Sequence, residues 1–160
     1  MNIAELQQIY GKHPNAEGLA SLMNNPEIRT IFLEGVHASC TSLFASGVVK
    51  SADRVHLFIL NDLEEAGYFY HDLTQVLGTD KVLFFPSSFR RAIKYGQKDA
   101  ANEILRTEVL SRLQKGEEGL CVVTYPDALA EKVVSWKELG DKTLKLHSGE
   151  NVDTNFIMEV

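Results

Sequence analysis

The strongest constraint on this chain is an alternation. Short, uninterrupted apolar runs are each followed by a stretch with helical spacing. The runs are Thr30-Ile31-Phe32-Leu33, Val55 to Leu60, Lys81 to Phe85 and Leu120 to Thr124. A strand covered on one face alternates apolar with polar residues. A run without alternation belongs to a strand covered on both faces, as in a parallel sheet with crossover helices above and below it. The intervening segments supply such helices. Ser39–Val49 reads as one. Leu63–Leu77 sets Leu63, Ala66, Tyr70, Leu73 and Leu77 on one face and stops at Gly78. Asp99 is placed to cap a helix through Gln114, with Ala101, Leu105, Val109 and Leu113 repeating every fourth residue. Pro126-Asp127-Ala128-Leu129 starts a further helical turn, and Lys142 to His147 alternates as a half-buried strand does. The expected fold is α/β, a three-layer α/β/α sandwich with a mostly parallel sheet and right-handed crossovers.

Two short helical patterns come first. Ile3, Leu6 and Ile9 lie about one turn apart before Gly11, and Leu19, Leu22 and Met23 precede Asn24-Asn25-Pro26. The expected organisation is a helical arm over 1–28, the sheet domain over 29–148, and the start of another unit over 149–160. In that last stretch Asp153 can cap a helix that the chain leaves near its second turn. The sequence thus reads as an incomplete fragment of a longer protein. Its first residues carry Glu5 and no basic run, so no signal peptide is expected, and no apolar run approaches the ~20 residues of a membrane helix. With 16 basic and 22 acidic side chains the net charge is −6, so nucleic acid is repelled on average and any DNA contact needs a local basic patch. Cys40 and Cys121 have no C-x-x-C spacing and read as two buried thiols of a reducing cytoplasm.

Parallel sheets bind ligands at the C-terminal ends of their strands. That directs attention to 34–40, 61–64, 86–98 and 124–127. The first of these, Gly35-Val36-His37-Ala38-Ser39-Cys40-Thr41-Ser42, has the strand–loop–helix setting of a phosphate loop. The working pattern is G-x-x-x-x-G-K-[ST]. Gly35 and Ser42 keep its ends, but Cys40 stands at the second glycine and Thr41 at the lysine. Thr41 brings no positive charge to the phosphates, and a Cβ at Cys40 crowds the path of the wrapping backbone. One lost charge-assisted contact costs roughly 1.5–3 kcal/mol. No cofactor is expected at Gly35–Ser42, and no catalytic residue anywhere. Ser39 lacks the G-x-S-x-G setting of a nucleophile elbow. His37, His56, His71 and His147 show no metal-ligand spacing, so no metal site is expected. Glu64 and Glu65 after Asp62 read as acids that complement a helix N-terminus.

Phe89, Arg90, Arg91, Lys94, Tyr95 and Lys98 form a basic segment with two aromatics. It reads either as a surface for DNA or an acidic partner, or as a solvated basic loop. Four charges give only a modest electrostatic term at physiological salt, which favours the solvated loop.

The stretches LEGVHASCTSLFAS, VHLFILNDLEEAGYFYHDL, VLFFPS, EILRTEVLSRLQKGEEGLCVVTYPDAL and TLKLHSGENVDTNFIMEV, in that order, resemble the N-terminal, UvrB-like region of bacterial transcription-repair coupling factors (Mfd). The resemblance covers about residues 17–160. It implies a P-loop NTPase/helicase (RecA)-like domain with a degenerate phosphate loop, non-catalytic in this segment. It also implies a full-length ATP-dependent DNA translocase, cytoplasmic and nucleoid-associated, that displaces stalled RNA polymerase and recruits UvrA for nucleotide excision repair. ATP and magnesium would belong to its downstream motor. UvrA would be met through the inserted domain starting near Gly149, and RNA polymerase and double-stranded DNA through later domains. The strands that complete the sheet in that family follow the insertion, so a free sheet edge and edge-mediated self-association are expected here. Two other readings stay open. One is a nucleotide-binding helicase-type domain with a divergent loop; the other is a DNA-binding module using residues 90–98.

Overall fold

A computed structural model describes residues 2–51, 54–89, 99–141 and Gly149. The elements are α1 (Ile3–Gly11), α2 (Pro14–Met23), α3 (Ser39–Val49), β1 (His56–Ile59), α4 (Leu63–Leu77), β2 (Val82–Phe84), α5 (Ala100–Gln114), β3 (Cys121–Thr124), α6 (Pro126–Leu129) and α7 (Trp136–Asp141). Local chemistry explains most of the helix boundaries. Asn2 and Glu5 make a reciprocal capping box on α1, and His13 with Pro14 opens α2. Asp62 accepts the N–H of Glu65 at the start of α4, and Asp99 that of Ala101 at the start of α5. Gly78, at φ 88°, ends α4 in a conformation that costs glycine nothing.

The three strands form one parallel sheet in the order β1-β3-β2. Cys121 is in register with His56 on one side and with Val82 on the other. Side chains alternate between the two faces. On one face Phe58 packs on Phe69 of α4 at 5.0 Å between ring centroids, and Phe84 packs on Tyr70 at 5.2 Å. Phe85 turns to the other face, where the Arg106 guanidinium of α5 lies 4.1 Å from its ring centroid. Leu73, Val82, Leu120, Cys121 and Val123 are fully buried between these layers. The architecture is therefore α/β with a small parallel sheet.

Four expectations need correction. Thr30–Leu33 is not a strand: it has no strand assignment, and Phe32 is 87% exposed. An apolar run becomes a strand only when a neighbour takes its backbone hydrogen bonds, and no described strand lies beside this one. The buried residue of α1 is Gln7, which accepts a hydrogen bond from Lys50 (2.8 Å), while Ile3 and Ile9 are exposed. Leu63 and Ala101, in the first turns of α4 and α5, are exposed too. Cys40 is also exposed, as described below. The N-terminal helices pack on α3, with Gly11 against Gly47; a Cβ on Gly47 would stand 2.8 Å from the Gly11 Cα. The expected strand at Lys142–His147 and the helix start at Asp153 lie outside the described residues.

Candidate functional site

Residues Gly35–Ser42 form the turn into the N-terminus of α3, but no strand precedes them among the described residues, so the strand–loop–helix setting expected of a phosphate loop is not formed. Gly35 takes φ 83° and Ala38, at the N-cap, takes φ 49°, so the turn is tight and Ala38 bears the steric cost of a Cβ at positive φ. Ala38 offers no side-chain cap, and the amides of Cys40 and Thr41 bond to the carbonyls of His37 and Ala38. His37 and Ser39 are exposed and Val36 is half-buried.

A cleft of about 340 Å³ opens at this helix end, lined by Ala38, Ser39, Thr41, Ser42, Leu60, Glu65, Tyr68, Phe69 and Asp72. The Ser42 hydroxyl, buried, lies 3.2 Å from Asp72 Oδ2 and 2.9 Å from the Ser39 carbonyl. The residue that ends the phosphate pattern is thus turned into the interface with α4. Among the described residues no lysine or arginine lines the cleft, whereas Glu65 and Asp72 do. A phosphate ~4 Å from a carboxylate meets repulsion of about 1 kcal/mol per unit charge pair even at the dielectric of water, and more in a cleft.

Cys40 is exposed because α3 buries a different face, carrying Ser42, Ser46, Val48 and Val49. Its sulfur is 3.2 Å from the Tyr10 hydroxyl, and this contact pushes the phenol above its usual range. Cys121 is buried as expected, and burial pushes its thiol up to about 11.

Of the basic segment, Phe89 is part-exposed, and Arg90, Arg91, Lys94, Tyr95 and Lys98 lie outside the described residues. Its stem is well defined. The Asp99 amide donates to the Ser88 carbonyl (2.8 Å), and Asn102 Nδ2 donates to the Ser87 carbonyl (2.9 Å).

Beside that stem is a cluster that sequence reading missed. Glu131, just after α6, accepts hydrogen bonds from the hydroxyls of Ser87 and Ser88 and from the Ser88 amide. Arg106 approaches it to 3.6 Å and donates to the carbonyls of Pro86 and Ala128 at 2.8 and 3.0 Å. Burial alone pushes the Glu131 carboxyl up. The serine donors and Arg106 outweigh it and hold the group below the usual carboxylate range. Burial lowers Arg106, against the field of Glu131. A carboxylate held ionised by this many donors is a weak base, so the arrangement acts as a clamp across the C-terminal ends of β2 and β3. Only one signal for it stands in the sequence: Arg106 interrupts an otherwise apolar helix face between Leu105 and Val109.

A second cleft, about 400 Å³ and largely apolar, lies between α3 and β1, lined by Leu33, Val36, Phe44, Val48, Phe58, Ile59 and Phe69 among others. Among the described residues no group of three or more His, Cys, Asp or Glu is placed to hold a metal ion, and no helix is long and apolar enough to cross a membrane. No protein-family model, curated protein or solved structure matches the chain.

Proposed function

We propose that this chain is a non-catalytic adaptor module: an incomplete RecA-like unit of the P-loop NTPase class whose phosphate loop no longer serves nucleotide. In this reading it belongs to a transcription-repair coupling factor. UvrA, RNA polymerase and DNA are engaged by other parts of that longer protein, and this segment is a scaffold for protein contacts. One observation carries the proposal. The cleft at the start of α3 presents Glu65 and Asp72 and, among the described residues, no cationic side chain. Two replaced residues weaken a phosphate loop, and an acidic wall turns the remaining helix-end attraction against the ligand.

The test is calorimetric titration of the chain with magnesium-ATP. A dissociation constant weaker than ~100 µM, about −5.5 kcal/mol, is expected. Tighter binding that competes with inorganic pyrophosphate overturns the adaptor reading in favour of a nucleotide-binding domain with a divergent loop.

A further inference from the structure

We infer that the unpaired edge of β1 is a self-association surface, on which β1 of a second copy of this chain pairs antiparallel with Leu57 opposite Ile59. Among the described residues β1 is hydrogen-bonded on one side only. The His56 amide donates to the Leu120 carbonyl (2.8 Å) and the Leu60 amide to the Thr124 carbonyl (2.9 Å). In a parallel ladder the N–H and C=O of one residue face the same neighbour, and those of the next residue face the other way. Leu57 and Ile59 therefore aim both backbone groups away from β3, at an edge where no described strand lies. Their side chains are 54% and 55% exposed, on the sheet face opposite the buried His56. His56–Ile59 contains no lysine, proline or other device that blocks edge pairing.

Charge and hydrogen-bond geometry select the occupant and its direction. Lys50, Asp53 and Arg54 precede the strand, a net charge of +1, and Asp62, Glu64 and Glu65 follow it, a net charge of −3; Lys50 and Arg54 also donate to Gln7 and to Asn24 in the same chain. Antiparallel pairing with a second copy sets the basic end of each strand against the acidic end of the other, whereas parallel pairing sets like against like. Directly opposite residues of an antiparallel pair exchange both of their bonds when their backbone groups face each other. Leu57 opposite Ile59 meets that condition twice about a two-fold axis. The same register places Arg54 opposite Asp62 and Phe58 opposite its own copy, and it covers both exposed aliphatic side chains. A one-residue slip turns the free amides away from their acceptors. A two-residue slip one way sets Arg54 opposite Leu60 and discards the charge match; the other way it sets Arg54 opposite Glu64, which is already in α4, and leaves Leu57 opposite Asn61.

Sedimentation equilibrium of the 160-residue chain tests this. The average mass is expected to rise with concentration toward twice that of the monomer; a chain that stays monomeric at its solubility limit overturns the inference. Leu57→Pro deletes an outward N–H that β3 does not use. It is expected to raise the dimer dissociation constant roughly tenfold or more, with the circular dichroism spectrum unchanged. If that variant does not fold, Ile59→Lys on the exposed face gives the same readout. A dimer indifferent to Ile59→Lys uses another surface and refutes the proposal. For register, L57C and I59C chains are mixed and oxidised in a Cys40→Ser background. The mixed disulfide is expected to form well above the L57C self-disulfide; the reverse result rejects the antiparallel register.

Discussion

Replacing Glu131 with glutamine should loosen the ends of β2 and β3 at a cost out of proportion to the single oxygen changed. The carboxylate accepts the Ser88 hydroxyl at 2.6 Å and the Ser88 amide at 3.0 Å, as well as the Ser87 hydroxyl, and faces Arg106 Nη1 at 3.6 Å. Hydrogen bonds to a charged acceptor contribute about 1.5–3 kcal/mol each. Unit charges 3.6 Å apart attract by about 4–5 kcal/mol at an effective dielectric of ~20. Most of that offsets the desolvation of Arg106, whose side chain is 7% exposed, and so it does not appear as net stability. Glutamine keeps one carbonyl acceptor but takes from the buried Arg106 the carboxylate that acts on it most strongly. The expected loss is about 2–4 kcal/mol. The control is Glu108→Gln. Glu108 meets Arg112 at 3.8 Å, almost the same separation, but its side chain is 50% exposed and its expected loss is only about 0.3–0.5 kcal/mol. Urea unfolding followed by circular dichroism measures both variants. The midpoint of E131Q should fall with the slope unchanged, and its thermal midpoint should drop by roughly 5–10 °C. Losses within ~0.5 kcal/mol of each other would show that burial does not decide between these two ion pairs, and the clamp as described would be wrong.

Four further outcomes are expected. The folded Glu131 carboxyl titrates below its unfolded value, so its stabilisation is complete above the unfolded pKa of about 4.3 and is lost as pH falls through the folded one. Stability measured by urea titration should decline on acidification below ~pH 5, with a shallower slope in E131Q. Gly47→Ala should destabilise by about 1–3 kcal/mol and expose α1 to proteolysis, because the new Cβ would stand 2.8 Å from the Gly11 backbone. Gly18→Ala, with nothing within 4 Å, should stabilise by about 0.5–1 kcal/mol in the same unfolding assay. Cys40 should react with a thiol reagent in the native state, and Cys121 only after unfolding, since it is fully buried with its thiol pushed up to about 11.

The features legible in the sequence were those with local causes. α4 begins after Asp62 and ends at Gly78, α5 begins after Asp99, and all three punctuating residues stand in the sequence at those points. Three strand positions were legible as well, since an unbroken apolar run flanked by turn residues has few alternatives. Thr30–Leu33 has the same local signature, yet strand formation depends on a neighbour that no local pattern encodes. The tight turn into α3 was visible in Gly35, but the acidic wall beside it was not, because Asp72 arrives from another helix, 30 residues further along the chain than Ser42. The Glu131 clamp joins three separate segments, so no window of sequence contains it. Exposure at Cys40 depends on which face of α3 meets α4, which the weakly amphipathic sequence SCTSLFASGVV does not specify.

The stem around Ser87 and Ser88 has a consequence for how this protein can vary. It is closed by the Asp99 amide, by Asn102 and by Glu131, none of which lies between Phe89 and Asp99. The cost of closing an interval between fixed ends grows only with the logarithm of its length, about 0.6 kcal/mol per doubling. Lengthening the chain between Phe89 and Asp99 therefore adds little closure cost as long as these three contacts, which lie outside it, are kept.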